Sequence, residues 1–319
     1  MSAPADCAAC ADERAAGAAF CESCGQALAT GAEREPGTDC AACGATGTVG
    51  ADGYCENCGM LAGRPRDHVE ADAHEVAAAV SDRGLRHHRN EDAMWLAVRG
   101  SDADIVVCDG VSASFDPDVA SETAAETAGK VLAGPADDVA AHVGAAISAA
   151  ADAVAALAGS GDPRRAASNP ACTIVAACRR GDTIGYGWVG DSRAYWVPAS
   201  GAASRLTEDD SWAAHAIALG IDPAAAMNAP NAHAITAWLG ADAGTVRPRT
   251  GTLRPDGPGT LVLCSDGLWN YLVPLDDFAA AVRTAVRDHP APLEAARALV
   301  TLAVDAGGAD NITVALLAV

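Results

Sequence analysis

Ile105-Val106-Val107-Cys108-Asp109-Gly110 is an apolar run that ends in an aspartate and a glycine. Leu261-Val262-Leu263-Cys264-Ser265-Asp266-Gly267 ends in the same way. The run Ile184 to Val189 leads into Gly190-Asp191, and Asp310-Asn311 opens the last one, Ile312-Thr313-Val314-Ala315-Leu316-Leu317. An aspartate at the tip of a buried strand costs desolvation and adds no packing. Four such tips are what a cation site built from hard oxygen ligands requires. The competing reading of each aspartate is a turn or helix cap beside glycine. It weighs most at Asp191, where Asp191-Ser192-Arg193 would also serve as a hairpin turn.

Working outward, short apolar runs recur at about 76–81, 93–98, 104–108, 171–179, 183–189, 193–197, 246–253, 260–264 and 311–318. Alanine-rich helical patterns fall at about 118–132, 137–159, 208–219, 275–288 and 292–305. Several strands are joined by loops too short for a crossover helix, which favours antiparallel pairing. The expected fold class is α+β: two packed antiparallel β-sheets flanked by helices in an α-β-β-α sandwich, preceded by a small N-terminal double zinc ribbon. With 319 residues the chain can hold one sizeable core and an appendage. Hydrophobic residues make up 50% but aromatics only 4%, so the core should be built from Ala, Val and Leu.

The appendage is legible in its cysteines. Eight of the twelve stand as four CxxC pairs in residues 1–60: Cys7/Cys10 with Cys21/Cys24, and Cys40/Cys43 with Cys55/Cys58. Each unit offers four thiolates at a spacing that suits tetrahedral zinc and leaves no open coordination position. The expectation is therefore two structural Zn2+ ions. Four disulfides are the alternative, disfavoured in a reducing compartment. Residues 1–60 have almost no apolar core, so metal binding would have to supply the folding energy, on the order of 10–16 kcal/mol per site. The pattern resembles tandem zinc ribbons. Residues 61–75, with Pro65 and several charges, read as a linker, and 76–319 as one domain.

The formal net charge of -21 repels nucleic acid and anionic membrane, and attracts divalent cations. Plain acidic solubility is the alternative source of that charge. No basic-then-apolar leader opens the chain, and the alanine-rich stretch from Val139 to Leu157 carries His142 and Asp152. A cytoplasmic protein is expected, with no nucleic-acid or membrane partner.

Asn90-Glu91-Asp92-Ala93, Asp109-Gly110, Gly190-Asp191-Ser192-Arg193, Ser265-Asp266-Gly267-Leu268-Trp269 and Asp310-Asn311-Ile312-Thr313-Val314 occur in this order. Each piece is weak alone, but the ordered set resembles the protein phosphatase 2C family of metal-dependent serine/threonine phosphatases over residues 76–319. Leu206-Thr207-Glu208-Asp209-Asp210-Ser211-Trp212 and Leu239-Gly240 agree with it. The resemblance implies that Asp109 bridges two Mn2+ or Mg2+ ions, with Gly110 offering its carbonyl, Asp266 and Asp310 binding one ion, and Glu91 and Asp92 acting through water. Asp191, with Asp266, matches the ligands of a third, looser ion. Two such cations, about 3.5–4 Å apart, would activate a shared water for in-line attack on phosphorus. Phosphoprotein substrates are implied, with serine/threonine kinases and their targets among them. The ribbons are expected to contact protein.

Two departures stand beside the matches. The family arginine that contacts substrate phosphate is replaced by His87, within Arg86-His87-His88-Arg89, so Arg86, His87 and Arg89 are the candidate phosphate-binding residues. After Gly110 the family has His or Met and two glycines, and here stands Val111-Ser112-Ala113, which lacks an acid for the leaving group. These departures motivate a second reading, a pseudophosphatase adaptor that uses its zinc ribbons to bind a partner. A zinc-ribbon nucleic-acid binder is a third, opposed by the charge. Residues 213–234 match a variable flap, and Cys108, Cys172, Cys178 and Cys264 read as buried thiols.

Overall fold

The computed structural model describes residues 39–40, 44–50, 54–59 and 64–319. The chain divides into two compact units, Met1–Gly63 and Arg64–Val319. In the second unit the strands are β1 (His68–Ala73), β2 (Ala77–Asp82), β3 (Ala93–Arg99), β4 (Asp102–Cys108), β5 (Ile174–Arg180), β6 (Thr183–Val189), β7 (Arg193–Pro198), β8 (Ser204–Arg205), β9 (Arg249–Leu253), β10 (Gly259–Cys264) and β11 (Ile312–Ala318). The helices are α1 (Pro117–Leu132), α2 (Val139–Ala156), α3 (Pro163–Ala167), α4 (Trp212–Ala218), α5 (Pro223–Met227), α6 (Asp266–Trp269), α7 (Leu275–Asp288) and α8 (Pro292–Asp305).

All strand pairs are antiparallel, in a six-stranded sheet ordered β1-β2-β11-β10-β7-β8 and a five-stranded sheet ordered β3-β4-β5-β6-β9. The period-two rule explains why the central strands are apolar throughout. In β4, Ile105 and Val107 face the core between the sheets, while Val106 and Cys108 face the layer of α1 and α2. In β10, Leu261 and Leu263 point between the sheets, and Val262 and Cys264 toward α7 and α8. The α-β-β-α sandwich follows. Alanine-rich faces let the helices lie close: Gly129 of α1 sits against the Trp95 ring, where a Cβ would come within 2.2 Å. By length and composition α2 could cross a bilayer, but Val143, Ala146, Ile147, Ala150 and Val154 lie in the helix–sheet core.

Two boundaries differ from the sequence reading. Residues 61–75 were expected to be linker, yet 65–67 form a 3-10 turn and 68–73 form β1, paired with β2 from His68↔Asp82 to Ala73↔Ala77. As an edge strand it is largely exposed, so it lacks the apolar run that marks its neighbours. The helix expected at 208–219 begins only at Trp212, capped by the Ser211 hydroxyl, which accepts from Ala214 N. Residues 206–210 are instead an extended strap. The short helices α3, α5 and α6 had no periodic signal to announce them.

Of the expected ribbon ligands, Cys7, Cys10, Cys21, Cys24 and Cys43 lie outside the described residues. The sulfurs of Cys40, Cys55 and Cys58 lie within 4.8 Å of one another. Gly44 N donates to Cys40 O and Gly59 N to Cys55 O, each at 2.8 Å, and both glycines have positive φ. Two knuckles therefore turn alike, four residues after a cysteine.

Candidate metal centre

The sandwich topology collects the aspartates at one end. Cys108, the last residue of β4, pairs with Ala93, the first of β3, so Asp109 emerges beside Glu91-Asp92. Cys264, the last of β10, pairs with Arg193 on one side and Val314 on the other, which brings Asp191, Asp266 and Asp310 to the same edge. Two glycines are demanded by packing. A Cβ on Gly110 would stand 2.6 Å from Glu91 O, and one on Gly267 only 1.9 Å from Asn311 O.

Asp92 is buried at 2% exposure, and one of its oxygens is fully partnered. Its Oδ2 accepts from Thr313 Oγ1 at 2.6 Å and Ser265 Oγ at 2.9 Å, while Oδ1 has no protein partner. Burial, with the charges of Asp310 and Asp266, pushes its carboxyl up to about 7 against the two hydroxyl bonds. Asp266 Oδ2 accepts from Asn270 Nδ2 at 3.1 Å, its Oδ1 is also unpartnered, and burial and Asp310 raise it to about 6. Asp109 follows directly on the last residue of β4. Its carboxyl is driven well above the usual range by burial and then by Asp92, Asp266, Asp191 and Asp310. Asp191, 8% exposed, is pushed to about 8 by burial and then by Asp266 and Asp209. It sits in the β6–β7 connection, which crosses from one sheet to the other and is no hairpin, so the site reading of Asp191 stands and the hairpin-turn reading does not. Like charges held this close raise one another's carboxyls, and Arg193 offsets only part of that at Asp191 and Asp266.

Asp310 Oδ1 accepts from Asn311 N at 2.8 Å and lies 3.2 Å from His87 Nε2. Glu91 Oε2 accepts from Ser112 Oγ at 2.6 Å. Thus Glu91, Asp92, Asp109, Gly110, Asp191, Asp266 and Asp310 all reach one edge. His87 is turned toward a carboxylate of the cluster. Arg86, His87 and Arg89 line a cavity of about 730 Å3 together with Glu91, Ser112 and Phe115. Arg89 is partly engaged by Asp118 at 3.4 Å.

Sequence reasoning missed the supports of this edge. Asn311 accepts from Glu91 N at 2.7 Å and donates to Arg83 O and Arg89 O, tying the loop before β3 to β11. Ser265, just past β10, and Thr313 on β11 fix Asp92. Their signal was adjacency, since each stands within three residues of an aspartate already singled out. Trp269 Nε1 donates to Asp191 O at 3.0 Å, and the Arg193 guanidinium lies 3.4 Å over the Trp269 ring while pairing with Asp209 at 2.6 Å. The expected flap is held by the Ser211↔Ile235 bridge, and its His233 ring lies 6.4 Å from that of Trp269.

The donor set suits hard divalent cations: clustered carboxylates at strand ends, with two buried oxygens, Asp92 Oδ1 and Asp266 Oδ1, that no protein group satisfies.

Comparison with known proteins agrees with this geometry. Residues 84–301 match the profile of Protein phosphatase 2C. The serine/threonine protein phosphatase PstP of Mycobacterium tuberculosis is 30% identical over 240 residues, covering 74% of this chain and 43% of that protein. The chain thus spans under half the length of that curated relative. The crystal structure of the M. tuberculosis serine/threonine phosphatase PstP/Ppp superposes with a TM-score of 0.63 at 28% identity, over 75% of this chain and 96% of that one. A PstP catalytic domain in complex with two manganese ions gives 0.62 at 26% identity, over 79% and 99%.

Proposed function

The chain belongs to the protein phosphatase 2C family, and on that premise we propose that it is a metal-dependent protein serine/threonine phosphatase. The observation that carries the reading is the pair of unpartnered buried oxygens, Asp92 Oδ1 and Asp266 Oδ1, within a group of raised carboxyls. Asp109 would hold both of two Mn2+ or Mg2+ ions with Gly110 offering its carbonyl, Asp266 and Asp310 one of them, Glu91 and Asp92 their water shell, and Asp191 with Asp266 a third. When bound, such ions supply a nucleophilic water at neutral pH and neutralise phosphoryl oxygens.

The protein's own groups do the rest. Thr313 and Ser265 keep Asp92 oriented, and Asn311 holds the Glu91 backbone. The cavity lined by Arg86, His87 and Arg89 receives the phosphoryl group, with Arg86 and Arg89 contributing fixed positive charge. Val111 offers no proton to the leaving alkoxide, so a water or a mobile residue would have to supply it.

Manganese-dependent phosphate release from an aryl phosphate and a phosphothreonine peptide, abolished in Asp109→Ala, tests the reading. An Asp109→Ala variant with undiminished activity overturns it. The contact of His87 with Asp310, where the family has a phosphate-binding arginine, favours a second reading as a pseudophosphatase adaptor. Its mark would be manganese binding without turnover, or no manganese binding at all.

The N-terminal unit, in this reading, carries two structural zincs. Cys40, Cys55 and Cys58 with Cys43 form one ligand set, and Cys7, Cys10, Cys21 and Cys24 the other. The support is the thiol cluster, its paired glycine turns, and the Cys55 thiol, which a hydrogen bond with Thr48 foremost draws down to about 6. Thiolate zinc goes with a reducing, cytoplasmic setting. Protein contact is the proposed role of this unit, and phosphorylated kinases and their targets the proposed substrates.

A further inference from the structure

The turn before β1 grips the loop that carries Glu91 and Asp92. Buried carbonyls need partners, and the three successive carbonyls of that loop find theirs outside it. Arg66 Nε donates to Asn90 O at 3.2 Å, and Arg66 Nη2 donates to Asp92 O at 3.2 Å. Between them, Glu91 O accepts from Ser121 Oγ at 2.5 Å, and Ser121 Oγ lies 3.1 Å from Arg66 Nη2. The same guanidinium reaches Asp118 O at 2.7 Å and pairs with Glu122 at 2.6 Å, both on α1. In return, Asn90 Nδ2 donates to Arg66 O at 3.2 Å. Asp67, the next residue, is buried and receives Asn90 N at 3.4 Å.

Asn90 also begins a directed chain of bonds to the cluster. Its Nδ2 donates to Ser81 Oγ at 2.9 Å, Ser81 Oγ lies 2.7 Å from Thr313 Oγ1, and Thr313 Oγ1 donates to Asp92 Oδ2 at 2.6 Å. Arg66 therefore acts at both ends of Asp92: directly on its carbonyl, and through Asn90 on the hydroxyls that orient its carboxylate. A planar fork with five donors can span carbonyls two residues apart, whereas an ammonium cannot.

We propose that Arg66 is a positioning residue for the carboxylate centre, setting the Asn90–Asp92 backbone and so the cation affinity of Glu91 and Asp92. The inference rests on the reading of those carboxylates as a cation site. Arg66 touches no reacting atom. It belongs to the second compact unit, in the turn that leads into β1.

The test is calorimetric titration of the zinc-supplied full chain with manganese, with activity read separately against manganese concentration. Arg66→Ala should bind manganese about 10–100-fold more weakly, the range seen when outer partners of metal ligands are lost. Saturating manganese should restore most of kcat and leave KM for an aryl phosphate near the wild-type value. Glu122→Gln, which removes only the outward ion pair, should stay within about twofold of wild type, since exposed pairs contribute little. Should Arg66→Ala not fold, Arg66→Lys decides: it keeps the charge and the reach to Glu122 but loses the two-carbonyl span, and should still bind manganese more weakly. Wild-type manganese affinity in the folded Arg66 variants, or an equal loss in Glu122→Gln, overturns the positioning role alone. A wild-type chain that takes up no manganese overturns the cation-site reading beneath it.

Discussion

The Thr313 hydroxyl, on the last strand of the chain, donates at 2.6 Å to the Asp92 carboxylate, 221 residues away in sequence. With Ser265 on the same oxygen, it leaves Asp92 Oδ1 as the one atom of that group still seeking a partner. A carboxylate so held is aimed before any ligand arrives.

Removing that hydroxyl should therefore act on cation affinity before it acts on the fold. Thr313→Val keeps the shape and deletes the bond. It should weaken manganese binding about 10–100-fold and cost about 1.5–3 kcal/mol of stability, as for hydrogen bonds to charged groups. Calorimetry and urea denaturation measure the two effects.

Asp109→Asn should separate stability from function. The Asp109 carboxyl is raised by burial and four neighbouring carboxylates, so its charge opposes folding when no cation is bound. The variant should lose metal-dependent phosphatase activity, yet be more stable than wild type in manganese- and magnesium-free buffer at pH 8. A variant less stable than wild type there would contradict the electrostatic account.

The same charges set a pH dependence. Asp266, Asp92 and Asp191 are raised from 3.8 to about 6, 7 and 8, so the folded chain holds protons that the unfolded chain has already released. Stability must then fall as pH rises across that window. Thermal scans of the chain dialysed free of manganese and magnesium should show a higher Tm at pH 6 than at pH 8. Added manganese should raise Tm more at pH 8, where fewer protons compete for the ligands.

His87→Arg should strengthen the grip on phosphate, since a guanidinium can bind two phosphoryl oxygens at once. A lower KM for an aryl phosphate, by about tenfold for each 1.4 kcal/mol gained, is the expected outcome. An unchanged KM would mean that Arg86 and Arg89 already supply the contact from the cavity they line.

Zinc content tests the N-terminal unit. The full chain should carry two zinc ions by elemental analysis, and Cys55→Ser or Cys58→Ser should lose one of them. Turnover of a small aryl phosphate should change little, because none of these sulfurs belongs to the carboxylate cluster.

What could be read without a structure was whatever recurs at short range. Runs apolar at every position announce strands covered on both faces, as β4, β10 and β11 are. Aspartates placed where such runs stop announce a charge bought at a desolvation cost, and Asp109, Asp191, Asp266 and Asp310 do stand at one edge. The CxxC pairs are local patterns as well, and the zinc they suggest remains a proposal.

What the chain alone did not disclose depends on partners far apart in sequence. β1 is an exposed edge strand, stabilised by its ladder to β2 and not by its own apolar content, so it passed for linker. Arg66 and Ser121 are ordinary residues until folding sets them beside the carbonyls of Asn90, Glu91 and Asp92. His87 stands where a phosphate-binding arginine was expected, and only the packed structure shows it turned to Asp310. The sequence by itself determined which strands are buried and which charges stand at their ends, because desolvation acts on each residue through its local pattern. The tertiary structure alone decided how those charges are aimed, because orientation is set by hydrogen bonds that span the whole chain.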